Sequence, residues 1–141
     1  MKNDISAIGN ALVDTTFKVE HSLISELGLE IDQMTLSSAE EHAPIIDRLI
    51  ASGADTISDC GGSATNTLVA AASFGAKCFH TCKVSDDQDG VKYLESLKEA
   101  GVGHKGNMAS ASTIPTGKCL ILVTPDAKRT MATALNVSSL M

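Results

Sequence analysis

Two glycines stand directly before a run of helix-forming residues in the segment CGGSATN at 60–66. Glycine has no Cβ, so a ligand can approach the backbone closely, and a helix start offers N–H groups without intrahelical partners. Asn66 falls in the first helical turn, where its amide can both donate and accept hydrogen bonds. The pattern favours a binding site for a hydroxyl-rich small molecule such as a sugar. The alternative is a strand-to-helix turn in which the glycines serve geometry alone.

An aspartate closes the segment GNALVD at 9–14, just after the first predicted strand. Open α/β sheets bind ligands at the ends of their strands. The carboxylate of Asp14 has two acceptor oxygens, which suit a pair of vicinal hydroxyl groups. The alternative is a turn aspartate that accepts hydrogen bonds from backbone amides.

The segment PTGKC at 115–119 leads into a predicted β-hairpin, and Arg129 opens its return strand. A hairpin that projects from an α/β body can cover a ligand as a lid. The alternative for Arg129 is a solvated charge that keeps an edge strand from pairing with another chain.

One glycine motif lacks the context that its chemistry needs. Gly101, Gly103 and Gly106 match G-x-G-x-x-G, and Asp126 lies 20 residues beyond Gly106. A dinucleotide site requires a strand before this motif and a helix after it. Here a predicted helix precedes it and NMASASTIPTG follows. We therefore expect these glycines to end a helix and form a loop, and no P-loop segment is present.

Composition narrows the function further. The 141 residues carry 11 Lys and Arg against 17 Asp and Glu, for a net charge of −6, and only four aromatic side chains. These values argue against binding to nucleic acid or to an anionic membrane. No apolar run approaches the roughly 20 residues of a membrane span, and no secretory signal is evident, so we expect a cytoplasmic protein.

The chain contains four cysteines, Cys60, Cys78, Cys82 and Cys119. We expect them to be reduced and mostly buried, because the chain lacks a secretory signal. The alternative is a zinc site built from Cys78, His80 and Cys82 on one face of a strand, although no fourth ligand is evident.

Strands and helices alternate along the chain, which indicates an α/β fold with an added hairpin. A helix is predicted from the capping box at Ser38, with Pro44 delaying or kinking it and Gly53 ending it. Ser63 is expected to cap the next helix. That helix is predicted over 63–74, and a further helix is predicted over 88–100. The predicted strands are 4–9, 15–20, 77–84, 118–124 and 129–135. Residues 136–141 are expected to begin a further element.

Together these motifs resemble the PfkB, or ribokinase-like, family of carbohydrate kinases. The stretch GGSATNTLVAAASFGAKCFHTCKVSDDQDG at 61–90 is similar to the family's N-terminal signature, and the order GNALVD, GGSATN, PTGKC, KRTMATAL is most similar to the adenosine-kinase branch. The resemblance implies an incomplete three-layer α/β/α sandwich with a small antiparallel β lid. Residues 1–141 would be the N-terminal portion of the kinase domain, with lid strands near 15–20, 34–36, 116–123 and 129–135.

The resemblance also implies roles for individual residues. Asp14 would bind ribose hydroxyl groups with help from Asn10, and Met34 would contact the base. The glycine pair and helix start would line the sugar pocket through Gly61, Gly62, Ser63 and Asn66. The lid and pocket wall would contain Cys119, Arg129, Met131 and Leu135.

The family's second signature, D-T-x-G-A-G-D, carries the general base and the amides that stabilise the transferred phosphoryl group. Gly-Ala-Gly-Asp does not occur in this sequence. We therefore assign no catalytic or metal-binding residue here, and ATP and Mg²⁺ are implied only for a longer parent kinase. The chain alone is expected to be inactive and to self-associate. The alternative is a short, non-catalytic binding or oligomerising module.

Overall fold

The computed structural model describes residues 2–109 and 113–141, with every side chain in those ranges except that of Asn107. The elements run in the order β1 (Ile5–Ile8), β2 (Leu12–Lys18), α1 (His21–Glu26), β3 (Met34–Leu36), α2 (Ala39–Ala51), β4 (Thr56–Gly61), α3 (Ser63–Ser73), β5 (Cys78–Ser85), α4 (Gln88–Glu99), β6 (Gly103–Ala109), β7 (Gly117–Val123) and β8 (Arg129–Ala134). A 3-10 helix, Asn136–Leu140, follows β8. No helix of the described ranges is long and apolar enough to cross a membrane.

The smaller sheet is parallel, with the strand order β1-β5-β6. Helices α3 and α4 cover one of its faces, where alternate residues of β5 point into a core. Cys78, Cys82 and Val84 of β5 are buried there with Leu68 of α3 and Leu97 of α4. This sheet and its helices form the expected α/β body, and they position the N-terminus of α3.

The larger sheet has five strands in the order β3-β8-β7-β2-β4. Helices α1 and α2 pack on one face, around a core that includes Phe17, Leu49 and Leu122. The strands expected to form an antiparallel lid belong to this sheet, which is mixed rather than antiparallel. The pair β7–β8 is antiparallel, as the hairpin prediction requires, and β2–β4 is antiparallel too, whereas β2–β7 and β3–β8 are parallel.

The predicted start of α2 is confirmed. The Ser38 capping box is formed, because Glu41 N–H donates to the Ser38 hydroxyl (3.2 Å) and Ser38 N–H donates to the Glu41 carboxylate (2.7 Å). The alternative of a delayed start at Pro44 was wrong, since α2 begins at Ala39 and continues through that residue. The capped first turn fixes the start of the helix, so only one interior backbone bond is lost at the proline.

Other expectations need correction. Gly62, not Ser63, is the N-cap of α3, and it has a left-handed φ of 99°. Gly103 and Gly106 lie in strand β6 rather than in a loop, because β6 pairs with β5 along its whole length. The strand expected at 15–20 begins earlier, at Leu12. Part of the segment expected to form a loop after Gly106, residues 110–112, lies outside the described residues.

Candidate functional site

Asp14 lies in the middle of β2, on the face of the larger sheet opposite to α1 and α2. In register, it stands beside Asp59 of β4 and Cys119 of β7. A Cβ built on Gly61 would overlap the Asp14 carboxylate, so this carboxylate lies directly over the backbone of the first glycine of the pair. A glycine is therefore required at position 61, because a side chain there would displace the Asp14 carboxylate. This close approach brings the predicted motifs GNALVD and CGGSATN into contact.

The Asp14 carboxylate is half-buried. Burial raises its pKa, the attraction of Arg129 opposes that rise, and the negative charge of Asp59 adds to it. Within the described ranges, no protein group donates a hydrogen bond to this carboxylate. A partly desolvated carboxylate that accepts from no described protein group is suited to a ligand that brings its own hydroxyl donors.

The second glycine positions the start of α3. With its left-handed φ, Gly62 turns the chain from β4 into the helix, and a Cβ there would overlap the carbonyl oxygen of Asn10. Ser63 and Asn66 are exposed in the first turn, where helical N–H groups have no intrahelical partner. Asn10, Asp14, Gly61, Gly62, Ser63 and Asn66 therefore lie around one junction between the two sheets.

The remaining predicted residues extend from this junction along the same open face of the larger sheet. Register places Thr133 and Cys119 in one row with Asp14, and Met34 and Met131 in the next row. Arg129 is exposed at the start of β8, and Leu135 directly follows that strand. The structure thus collects all eleven predicted residues at the junction and on this face.

Sequence reasoning missed several residues of the same face. Leu12, Thr16, Leu36, Ile121 and Thr133 share it because each is in register with, or two residues from, a predicted one. Their signal was available in part, since the period-2 alternation of β2 and β7 places Leu12 and Ile121 with Asp14 and Cys119. Leu36 and Thr133 required the pairing of β3 with β8.

Cys119 is buried between Asp14 and Thr133, and the Thr133 hydroxyl donates to its Sγ at 3.3 Å. Burial raises the pKa of this thiol; the Thr133 hydrogen bond and Arg129 oppose the rise, and the Asp14 charge adds to it. The protonated thiol is a small, weakly polar wall residue beside the carboxylate.

A second polar group lies behind the α3 start. Nδ1 of the fully buried His80 is 3.4 Å from the Ala7 carbonyl oxygen, and its Nε2 is 3.3 Å from the Thr65 hydroxyl, which also contacts the Tyr93 hydroxyl. Because a carbonyl only accepts, Nδ1 is the donor, Thr65 donates to Nε2, and Tyr93 donates to Thr65. All four cysteines are free thiols, and no group of three or more potential metal ligands occurs among the described residues.

The surface has two grooves that bear on the position of a ligand. The larger, of about 660 Å³, lies between α1, α2 and the β7–β8 turn and contains none of the predicted residues. A groove of about 420 Å³ is lined by Leu36, Thr133 and Leu135 and continues from the Asp14 face. The second groove lies at the β3–β8 end of the register row that begins with Asp14, so it is the one adjacent to the predicted residues.

The fold and this junction define an α/β protein in which a glycine-rich helix start meets a small covering sheet. The chain belongs to the pfkB family of carbohydrate kinases, whose model matches residues 32–141. The resemblance drawn from the motifs is confirmed.

Solved structures with the same fold include three kinases. An adenosine kinase from Sinorhizobium meliloti is 30% identical, with a TM-score of 0.86, over 100% of this chain and 42% of its own. A probable sugar kinase protein from Rhizobium etli CFN 42 is 26% identical, with a TM-score of 0.88, over 99% of this chain and 41% of its own. Anopheles gambiae adenosine kinase, solved with P1,P4-di(adenosine-5) tetraphosphate, is 26% identical, with a TM-score of 0.82, over 96% of this chain and 40% of its own. The chain thus spans about two fifths of these proteins, and a search of curated protein sequences finds no significant match.

Proposed function

We propose that this chain supplies the acceptor pocket of an ATP-dependent nucleoside kinase with an adenosine-like substrate. One observation carries the proposal: the half-buried Asp14 carboxylate and the exposed apolar side chains of β3 lie on one face of the same sheet. A ligand that fills this face has a hydroxyl-rich part joined to a flat apolar part, as a nucleoside has.

The apolar side chains of β3 distinguish a nucleoside from a plain sugar. Met34 is 53% exposed and pairs with Met131, which in turn pairs with the buried Ile121. Leu36 is 62% exposed and pairs with Thr133, in the row that contains Asp14. A free sugar offers hydroxyl groups on every side and gains little from such a surface, whereas a purine base would cover it. The names of two similar structures, both adenosine kinases, support the same substrate class.

In this proposal the residues of the chain bind and orient the acceptor. Asp14 accepts hydrogen bonds from the two vicinal ribose hydroxyl groups, and the N–H groups at the α3 start, with Asn66, bind the ribose from the other side. These contacts fix the primary hydroxyl group, which attacks the γ-phosphoryl group of ATP in kinases of this family. The sequence contains no Gly-Ala-Gly-Asp segment, so the proposal assigns the general base and the ATP and Mg²⁺ contacts to no residue of this chain.

Asp14→Asn in the natural protein that carries this sequence tests the proposal. The amide keeps the side-chain size but loses the charge, so the KM for adenosine should rise about 100-fold while the KM for ATP stays within about twofold. Asp59→Asn is the matched control, because Asp59 stands opposite Asp14 but is exposed. Absence of ATP-dependent transfer to any ribosyl acceptor by the wild-type protein would sink the proposal.

A second candidate is a non-catalytic module that self-associates. It is favoured by exposed apolar side chains, among them Phe74 (91% exposed), Ile8 and Ile57. Sedimentation of purified residues 1–141 should then show oligomers, and a stable monomer would contradict it. A reading frame that continues beyond Met141 to a Gly-Ala-Gly-Asp segment would reject this candidate in favour of the kinase.

A further inference from the structure

Thr116 is a buried residue where the two sheets meet, immediately before β7, and only 2% of its surface is exposed. Its hydroxyl donates to Oδ1 of Asp87 (2.6 Å) and accepts from the backbone N–H of Ser85 (2.9 Å). Its own N–H donates to Oδ2 of Asp87 (2.8 Å), and its carbonyl oxygen accepts from Nδ2 of Asn136 (3.1 Å). Every polar atom of this threonine is therefore used.

Asp87 has two tasks at this place. It is the N-cap of α4, since Oδ1 also accepts from the N–H of Gly90 at 2.8 Å. Burial alone would raise its pKa, but the hydrogen bonds from Thr116 and Gly90 and the charge of Lys118 lower it. A second bridge runs parallel to the first, because Lys118 Nζ lies 2.7 Å from Asp89 Oδ2. The first turn of α4 thus holds the first residues of β7.

The contact between Asp87 and Thr116 lies close in the chain to residues of the acceptor pocket. Gly117 pairs with Leu12, and Cys119 pairs with Asp14, only three residues beyond Thr116. Asn136, which binds the Thr116 carbonyl, directly follows the pocket residue Leu135. Both ends of the β7–β8 hairpin are therefore attached at Thr116 to the body of the protein.

We propose that Asp87 and Thr116 are positioning residues for the acceptor: together they hold the β7–β8 hairpin so that its pocket face stands beside Asp14. This inference rests on the proposed function. Neither residue belongs to the pocket face, and their effect passes through the placement of Cys119 and Leu135.

Substitution of Thr116 in the natural protein separates the hydroxyl group from the shape of the side chain. Thr116→Val keeps the shape but removes the bond to Asp87 and leaves the Ser85 N–H without its acceptor. The KM for adenosine should rise about tenfold, with kcat and the KM for ATP within about twofold. Thr116→Ser keeps the hydroxyl group and should restore the KM for adenosine to within about twofold of the wild type.

Asp87→Asn separates positioning from helix capping. Asparagine is as good an N-cap as aspartate, so its amide oxygen can keep the Gly90 bond at the Oδ1 position. Its NH₂ group then faces the N–H of Thr116, where two donors meet without an acceptor. We expect the same rise in the KM for adenosine as in Thr116→Val, with α4 intact by circular dichroism.

The chain offers a matched control at the far end of the same hairpin. Thr124 is also buried, and its hydroxyl donates to the carboxylate of Asp126 at 2.6 Å. Thr124→Val removes an equivalent bond at the hairpin tip and should leave the KM for adenosine within about twofold. An equal effect at Thr124 and Thr116 would overturn the proposal, as would a Thr116→Ser variant as impaired as Thr116→Val.

A readout without turnover keeps this inference separate from the proposed function. In Thr116→Val, iodoacetamide should alkylate Cys119 about tenfold faster than in the wild type, with Cys78 unchanged, as measured by mass spectrometry of the labelled peptides. An unchanged rate at Cys119 would overturn the positioning role. Wild-type protein that phosphorylates no nucleoside, but shows the faster labelling in the variant, would refute the proposed function alone.

Discussion

His80 and Asp14 are both polar side chains in the middle of a strand, but their surroundings differ. His80, in the smaller sheet, is fully buried, and both ring nitrogens have partners within the protein. Asp14, in the larger sheet, is half-buried, and no group of the described residues donates a hydrogen bond to it. A buried polar group with protein partners stabilises a fold, whereas a half-exposed carboxylate without a protein donor is open to a ligand that brings its own donors. The contrast separates the scaffold from the binding face.

The first prediction tests the satisfied network. Thr65→Val removes the hydroxyl group that links His80 and Tyr93, and it leaves two buried polar groups without that partner. Each such group costs about 1–3 kcal/mol, so the free energy of unfolding should fall by about 2–4 kcal/mol. Urea denaturation of the natural protein measures the change.

Thr67→Val is the control for this substitution. Thr67 lies on the same helix, but it is exposed, and its hydroxyl donates to the backbone carbonyl of Ser63 at 2.8 Å. The same change of side chain there should alter stability by less than about 0.5 kcal/mol. Equal losses at Thr65 and Thr67 would show that the network contributes nothing of its own.

Local signals in the sequence predicted much of this scaffold. The Ser38 capping box, the Gly53 helix end and the apolar run of β7 each depend on residues close together in the chain. The motifs around Asp14 and the glycine pair, with the family resemblance, also predicted the residues that the fold brings together. Residues of a motif that spans a single turn are close together in the folded chain because they are close together in the sequence.

Elements that depend on distant partners were not predictable in this way. The first four residues of β4, which has the sequence TISDCG, are exposed, and the segment is a strand because β2 pairs with it. β6 contains two glycines and few apolar residues, and it is a strand because β5 pairs with it. The parallel pairing of β2 with β7 joins residues about 100 positions apart, so the mixed order of the larger sheet had no local signature.

A second prediction concerns the apolar part of the open face. Met34→Ala removes an exposed apolar side chain that the base would cover, so adenosine should bind about tenfold more weakly, while ribose binding stays unchanged. Stability should change by less than about 1 kcal/mol, because Met34 is already half exposed. Calorimetric titration with each ligand measures the two affinities.

Met108→Ala is the matched control, since Met108 is equally exposed but lies on β6 of the smaller sheet. It should leave both affinities unchanged. Equal weakening of adenosine and ribose binding in Met34→Ala would argue for a sugar acceptor and against a nucleoside.

The smallest expected effect is a difference in pH dependence. Burial raises the pKa of Asp14 above its ordinary value of 3.8, so the native state holds this proton more tightly than the unfolded chain does. The resulting stability is present below pH 3.8 and is lost as the pH rises through the higher native pKa. Asp14→Asn has no charge to desolvate, so its melting temperature relative to wild type should rise over this interval and level off above it.

His80 acts with the opposite sign, because burial lowers its pKa below 6.5 and protonation of the unfolded chain then opposes folding as the pH falls below that value. This contribution is common to the wild type and to Asp14→Asn, so it cancels in their difference. Saturating adenosine should then reverse the order of the two melting temperatures at pH 7, because its hydroxyl groups bind the ionised carboxylate only in the wild type. If adenosine raised both melting temperatures equally, Asp14 would be an unsatisfied structural charge and not the group that binds the acceptor.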